Sequence, residues 1–418
     1  MKIYPFAAIR SPAHRVSEVS CPPYDVVDRT QAAEIAAAKP NTFMRVVRAE
    51  VDFASDSDPH SLGVYQRARA NFLDLLARGY LVSDPTRGMY VYRQSKDGRR
   101  QAGLVCCVNV DDYRNETIRR HELTRPDKEL DRVEHMRAVG AHCEPVLLTV
   151  TDQPSLARQL ARDMNHRPIV HFSAKDGVTH TLWNVQEVDA YHAIFAEVEL
   201  LYIADGHHRC AAAARVAHEV QAAEGSNASA EAQRFLATIF PAEELHILPY
   251  HRLVRLAPTQ SIESVERALA GAGTLEPIAE SVGTAPTNRG DVCVFLNKTW
   301  WRLRLPAVTG GSPLDHLDVV RLSKCVLAPL FNIVDERSDV RISFLGGCSV
   351  EQLSSAVLRG DADVAFAMYP TSIDELLAIA RAGLIMPPKS TWFDPKLRSG
   401  LFAHAFESAD SSELASHG

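Results

Sequence analysis

The sequence predicts an α/β protein whose strands form a mixed sheet, in the α+β manner, and whose length calls for more than one domain. Three observations lead there. The chain has 418 residues, against roughly 150 for an average domain. Its composition, 46% hydrophobic and 23% charged, is that of a globular chain able to bury a large core without disulfides or metal staples. Short apolar runs of strand length alternate throughout with segments whose apolar residues recur at helical spacing.

The opening segment runs into a proline-rich turn, Ser20-Cys21-Pro22-Pro23-Tyr24-Asp25-Val26-Val27. Helical patterns follow at Ala32–Lys39 and Ser61–Arg78, the second with Leu62, Tyr65, Ala68, Phe72, Leu75 and Leu76 on one face. Gly88–Gln94 and Gln101–Val110, joined at Lys96-Asp97-Gly98, read as a hairpin. The densely charged stretch Arg114–Arg137 reads as helix. Pro145–Val150, Ile169–Phe172 and Val198–Ala204 read as strands, the last stopped by Asp205-Gly206 and followed by an alanine-rich helix to about Ala223. Phe235–Phe240 and His246–Val254 suggest a second hairpin. Beyond Pro258, a helix at Ile262–Ala272, strands at Val292–Asn297 and Trp300–Leu305, helices at Ser349–Leu358 and Ile373–Ala382 and a strand at Val364–Met368 form a further α/β unit. The polar end, Ser408–Gly418, reads as disordered.

Charge and cysteine usage narrow the class. Forty-five basic against fifty-two acidic residues leave a net charge of −7, which argues against broad nucleic-acid or membrane-surface binding. No apolar run approaches the roughly 18 residues of a transmembrane helix, and the N-terminus, broken by Pro5 and Arg10, lacks the shape of a signal peptide. The eight cysteines show no CxxC pair and read as reduced, partly buried thiols. The expectation is a soluble cytoplasmic protein with no nucleic-acid or membrane partner. Its oligomeric state is open, a homodimer included.

Asp205-Gly206-His207-His208-Arg209, between a buried strand and a helix, is the sharpest chemical feature. Gly206 permits an abrupt turn and close approach of the backbone to a ligand. Two histidines and an arginine at a helix N-terminus have the wrong sign for the helix dipole. Together with the free N–H groups of the first turn they suit a phosphate or carboxylate. Asp205 would hold Mg²⁺ or orient a histidine; alternatively it caps the helix and the cations pair with surface carboxylates. Adjacent histidines project about 100° apart on a helix, which makes them poor co-ligands for zinc. His121-Glu122 lacks the second histidine of H-E-x-x-H, since Arg125 stands in its place. No P-loop or G-x-G-x-x-G motif occurs.

Other candidates are scattered. Asp25, Glu122 and Glu144 could each accept a hydroxyl proton, although Asp25 could equally cap its turn. Lys389, Ser390, Thr391 and Lys396 lie in a proline-bounded loop with two hydroxyls between two cations, a phosphate site or a capped loop. Cys348, after Gly346-Gly347, reads as part of a tight turn with Ser349 as helix cap. Cys210 reads as a packing residue.

The strand–DGHHR–helix unit, the Cys-Pro-Pro-Tyr-Asp-Val-Val turn and Met386-Pro-Pro-Lys-Ser-Thr-Trp-Phe-Asp-Pro-Lys396 together resemble the family of unknown function 1015, as do His121–Arg132 and Tyr250-His251-Arg252. The DGHHR turn is similar to that of the free-serine kinases, which share a fold with the ParB N-terminal domain and sulfiredoxin. The resemblance implies a ParB/sulfiredoxin-like catalytic core at residues 1–255 and a C-terminal α/β region at 256–407 that returns its Lys-Ser-Thr loop to the site, with a tail at 408–418. It implies a kinase using ATP or ADP with Mg²⁺, free L-serine being the first acceptor. Asp205, His207, His208 and Arg209 would handle the phosphoryl group, and Gly206, Lys389, Ser390, Thr391 and Lys396 would bind the nucleotide. Sulfiredoxin carries a cysteine where His207 stands, so peroxiredoxin repair is not expected. A non-catalytic nucleotide-binding regulator and a phosphatase at the same anion site are the alternatives.

Overall fold

The computed structural model describes residues 1–278 and 284–406; the expected polar tail, Ser408–Gly418, lies outside them. The chain divides into two units, the first formed by Met1–Leu245 with the segment from Pro395 onward, the second by His246–Asp394.

The first unit is built on a nine-stranded mixed sheet. Its strands are β1 (Ile3–Tyr4), β2 (Tyr90–Lys96), β3 (Arg99–Asn109), β4 (Ile118–Arg119), β5 (Val146–Val150), β6 (Val170–Ser173), β7 (Thr179–Asn184), β8 (Leu201–Asp205) and β9 (Arg234–Pro241). They lie in the order β4-β8-β5-β9-β3-β2-β7-β6, with β1 added on β3. The predicted hairpin is present, β2 pairing with β3 through Gln94↔Gln101 around the turn at Asp97-Gly98. β8 runs parallel to β4 and antiparallel to β5, while β5 runs parallel to β9.

Continuous apolar runs explain the central strands. Leu201, Tyr202, Ile203 and Ala204 are all buried, as are all residues of β5, the pattern of strands covered on both faces. Two helices, α1 (Pro126–Val139) and α2 (His207–Glu224), pack along one another. α2 turns Cys210, Ala212, Ala213, Val216 and Ala217 inward, small side chains that let a helix sit close to its neighbours. One core joins both helices to the sheet, with Ile203, Leu148, Val133 and Met136 among its members. A four-stranded sheet joins Val82–Ser83, Ala8–Arg10, Ala403–Ala405 and Ala141–His142, so the end of the described chain is woven into the first unit.

The second unit holds a six-stranded sheet. Its strands are β10 (Tyr250–Val254), β11 (Thr274–Pro277), β12 (Asp291–Leu296), β13 (Thr299–Arg304), β14 (Ile342–Gly346) and β15 (Val364–Ala367), in the order β11-β13-β12-β15-β10-β14. Among the described residues no helix is long and apolar enough to cross a membrane, and all eight cysteines are free.

Four sequence-based expectations need correction. The run 114–137 is not one helix: Val110–Arg114 is helical, β4 comes next, and α1 begins only at Pro126, whose missing N–H suits a first helical position. Phe235–Phe240 and His246–Val254 do not form a hairpin, because β9 pairs with β3 and β5 while β10 lies between β14 and β15. For the same reason the units part at residue 245 rather than 255. The C-terminal segment also does not stay with 256–394, since Ser399 pairs with Cys21 and Ala403–Ala405 pairs with Ala8–Arg10.

Three histidines of the first unit are buried and held neutral. Burial, reinforced by Arg132, depresses the pKa of His135 to about 4. Burial, reinforced by His404 and Arg398 respectively, depresses those of His142 and His180 to about 3. The unfolded chain binds these protons below about pH 6.5, so their stabilisation is complete above that value and is lost as pH falls towards 4 and below. Thermal melting from pH 7.5 to 4 should show Tm declining steadily below pH 6.5; a flat Tm down to pH 4.5 would contradict it.

Candidate functional site

The parallel pairing of β4 and β8 sets Ile118 beside Leu201 and Arg119 beside Tyr202, so both strands deliver their carboxyl ends to the same edge. His121-Glu122 leaves one and Asp205-Gly206 the other. Open α/β sheets bind ligands at such ends. The register of β8 against β5 shifts between Ile203 and Asp205, an irregularity that re-aims side chains at the strand end. Gly206 then takes φ +100 as the residue before α2. A Cβ there would meet the Arg209 guanidinium at 3.1–3.2 Å, so both backbone and space require glycine.

Asp205 is held between two cations. Lys396 Nζ donates to its Oδ1 at 2.8 Å, and Arg209 Nη2 donates to its Oδ2 at 3.1 Å. Burial alone would raise its pKa, but Lys396 and then Arg209 outweigh it and hold the carboxyl well below its usual range. Arg209, itself buried, also donates to the Pro145 carbonyl, and its guanidinium feels Glu144 and Asp25 besides Asp205. With both Asp205 oxygens facing cations, this donor set does not suit Mg²⁺, which takes carboxylate and water oxygens.

The proline-rich turn comes to the same place. Cys21 and Ser399 exchange backbone hydrogen bonds at 3.1 and 3.0 Å, and buried Glu144 accepts from the Tyr24 N–H at 3.2 Å and from the Ser399 hydroxyl. Burial raises the Glu144 pKa, with Arg209 opposing it and Asp25 adding to it. Arg132 stands over the Tyr24 ring at 4.0 Å while its Nη2 donates to Asp131 at 2.7 Å. Asp25 is exposed, within electrostatic reach of Glu144 and Arg209.

The two histidines of the motif face different ways. His208 Nε2 accepts the Arg125 backbone N–H at 3.0 Å, which places the proton of the neutral ring on Nδ1. His207 is buried edge-on against His121, ring centroids 4.5 Å apart and planes at 88°. Burial, and then the neighbouring His121 imidazole, keep His207 well below its ordinary pKa. His121 falls to about 4 through burial. The Ile203 backbone lies near enough to His121 to favour its charged form, yet neither His121 nitrogen makes a well-formed hydrogen bond, nor does His207 Nε2.

Asp25, Glu122, Glu144, Asp205–Arg209 and Lys396 therefore all belong to the first unit, whereas Lys389, Ser390 and Thr391 belong to the second. There the buried Ser390 hydroxyl donates to the Pro387 carbonyl at 2.8 Å, and Lys389 Nζ lies 5.5 Å from the Tyr250 ring centre. Gly347 is left-handed and Ser349 caps the next helix, as expected, while burial pushes the Cys348 thiol up to about 11. A cavity of about 860 Å³ in the second unit is flanked by Arg289, Arg304 and Arg321, paired with Glu375, Asp291 and Asp318. Each of its three arginines is paired with a carboxylate. Tyr24, His121 and Arg132 lie within stretches that the family resemblance singles out, although it assigns them no role there, and Ser399 lies in none. The signal for His121 was a short strand directly before it, hidden in a charged run.

The family described as "Protein of unknown function (DUF1015)" matches residues 3–320. The chain belongs to the DUF1015 family. The DUF1015 match takes in the Cys21–Val27 turn, His121–Arg132 and the DGHHR turn, and ends before Lys396. No curated protein matches the sequence. Solved structures similar to this DUF1015 protein include a conserved hypothetical protein from Pyrococcus furiosus, 14% identical, covering 70% of this chain and 92% of the other at a TM-score of 0.37. Another is a free serine kinase in complex with AMP, 14% identical over 69% and 86% at 0.36. A third is SbnI with a C-terminal truncation from Staphylococcus aureus, 14% identical over 74% and 92% at 0.37. Likeness at this level assigns neither ligand nor reaction to the DUF1015 chain.

The geometry of the ion pair and of the turn can each be tested by substitution. Lys396→Met leaves the Asp205 carboxylate with one cation and should cost about 1–3 kcal/mol in urea unfolding. Its double-mutant cycle with Asp205→Asn should show coupling of about 1 kcal/mol or more, and strict additivity would mean the ion pair is not formed. Gly206→Ala should cost a similar ~1–3 kcal/mol, whereas Gly63→Ala, within the helix Leu62–Ala77 where a Cβ meets nothing within 4 Å, should be neutral or stabilising.

Proposed function

We propose that this protein is a nucleotide-dependent kinase that phosphorylates the hydroxyl group of a small molecule, free L-serine being the first acceptor to try. The observation that carries the reading is the glycine-turned helix mouth at the end of β8, where Arg209 and Lys396 converge on Asp205 beside the first N–H groups of α2. Such N–H groups have no partner within the helix and point towards an incoming anion. The motif-level resemblance to free-serine kinases supports the same reading.

In this mechanism the donor phosphates of ATP or ADP rest on the α2 N-terminus. Arg209 and Lys396 supply fixed positive charge, oriented by Asp205, and His208 adds an Nδ1–H donor. His207 holds the base of the turn through its packing on His121. Exposed Asp25, beside Arg209 and Glu144, accepts the hydroxyl proton as the oxygen attacks phosphorus and the phosphoanhydride bond breaks. Charge placed in advance and reactants held in line account for the rate gain. Mg²⁺ carried on the nucleotide's own phosphates needs no ligand from Asp205.

Phosphorus NMR of the full-length protein with Mg²⁺, ATP or ADP and a panel of small hydroxyl compounds headed by L-serine tests the proposal. A new phosphomonoester should appear, Asp205→Asn should abolish it, and Asp25→Asn should slow it by about 10²-fold or more. Stoichiometric nucleotide binding without any product would make the protein a nucleotide-responsive regulator instead. Loss of phosphate from phosphorylated compounds without nucleotide would make it a phosphatase.

A further inference from the structure

One group of side chains takes no part in that chemistry. His121, just beyond β4, and His207, opening α2, face each other as buried imidazoles, and Glu122 joins them. One ligand atom from each of the three lies within 4.8 Å of the other two. Beyond the loose approach of the Ile203 backbone to His121, both ring nitrogens of His121 and Nε2 of His207 are buried without a well-formed hydrogen bond, His121 being 2% and His207 6% exposed. Buried imidazole nitrogens in folded proteins are ordinarily satisfied. Three nitrogens without a well-formed partner on two facing rings, with a carboxylate alongside, indicate a missing partner that accepts lone pairs.

We propose that His121, Glu122 and His207 bind one borderline divalent transition-metal ion of the zinc class, with a coordination position left for an outside ligand. Two imidazoles and one carboxylate form the donor set used by open sites for such ions, whereas Mg²⁺ and Ca²⁺ prefer oxygen alone. Ligands about 2.0–2.1 Å from a tetrahedral zinc stand roughly 3.3–3.4 Å apart, so the widest pair needs to close by no more than about 1.5 Å. Asp205 adds negative charge near His121 and His207, and Arg120, close to His207, opposes the cation. The reading the two-histidine motif discouraged, zinc on His207 and His208, is replaced here by a pair far apart in sequence and adjacent through the parallel strands.

The full-length protein, stripped with a chelator and dialysed, would be titrated with ZnCl₂, CoCl₂ and MgCl₂ by calorimetry. Elemental analysis and the cobalt visible spectrum would accompany the titrations. One Zn²⁺ or Co²⁺ per chain is expected, at least 100-fold tighter than Mg²⁺, with a cobalt spectrum free of thiolate charge transfer. Glu122→Gln should weaken binding at least 10-fold and His121→Gln should abolish stoichiometric uptake, circular dichroism confirming the fold of each. Asp25→Asn, which disables the kinase proposed above, should bind the metal unchanged, so the two readings fail separately. Absence of stoichiometric binding, a thiolate-type cobalt spectrum, or uptake undiminished in both Glu122→Gln and His121→Gln would overturn the site.

Discussion

The Asp205 carboxylate is the tie on which the organisation of the first unit depends. It ends a buried strand, it receives Arg209 from the first turn of the adjoining helix, and it receives Lys396 from a segment that arrives 191 residues later. A carboxylate in that position is costly to bury alone and strongly stabilised once both cations are present. The carboxylate holds both cations in return, and the Pro145 carbonyl also accepts from Arg209. Arg209 extends the arrangement to Glu144, and Glu144 in turn fixes the Tyr24 and Ser399 backbone turns. Stretches that look unrelated in sequence are thus linked through a short chain of charge-assisted contacts.

Two electrostatic regimes lie side by side. Around Asp205 opposite charges alternate, Lys396 and Arg209 against Asp205, Glu144 and Asp25. Beside them His121 and His207 are buried, and burial favours the uncharged ring. The parallel strands produce this contrast by placing a charged motif and a buried pair at adjoining strand ends.

Much of this was readable from residue order. The Val198–Ala204 run, the glycine that stops it and the alanine-rich helix have unambiguous periodicity, and the 88–110 hairpin is announced by Asp97-Gly98. Asp205, Arg209 and Lys396 stand out by their chemistry, and the structure brings those three together. What stayed hidden has a common physical cause. β4 is two residues long, sits among charged side chains, and is a strand only because Leu201 and Tyr202 lie beside it. The partner of His207 is therefore invisible to any local pattern. The boundary near residue 245 was missed because β9 and β10 look alike locally and differ only in the sheet each joins. Lys396 groups with Lys389 by closeness in sequence, although the chain crosses from one unit to the other between Asp394 and Pro395.

The discontinuity of the first unit bears on how the protein is made. During synthesis Asp205 leaves the ribosome with Arg209 close behind, but Lys396 emerges 191 residues later, roughly 10–40 s at ordinary elongation speeds. Through that interval a half-neutralised carboxylate and an unpaired Cys21 edge wait for the returning strand, while the whole of the second unit emerges. Nascent chains paused before Pro395 hold every motif residue of the DGHHR turn and still lack the cation that completes it. Completion of this ion pair therefore waits until the whole of the second unit has been synthesised.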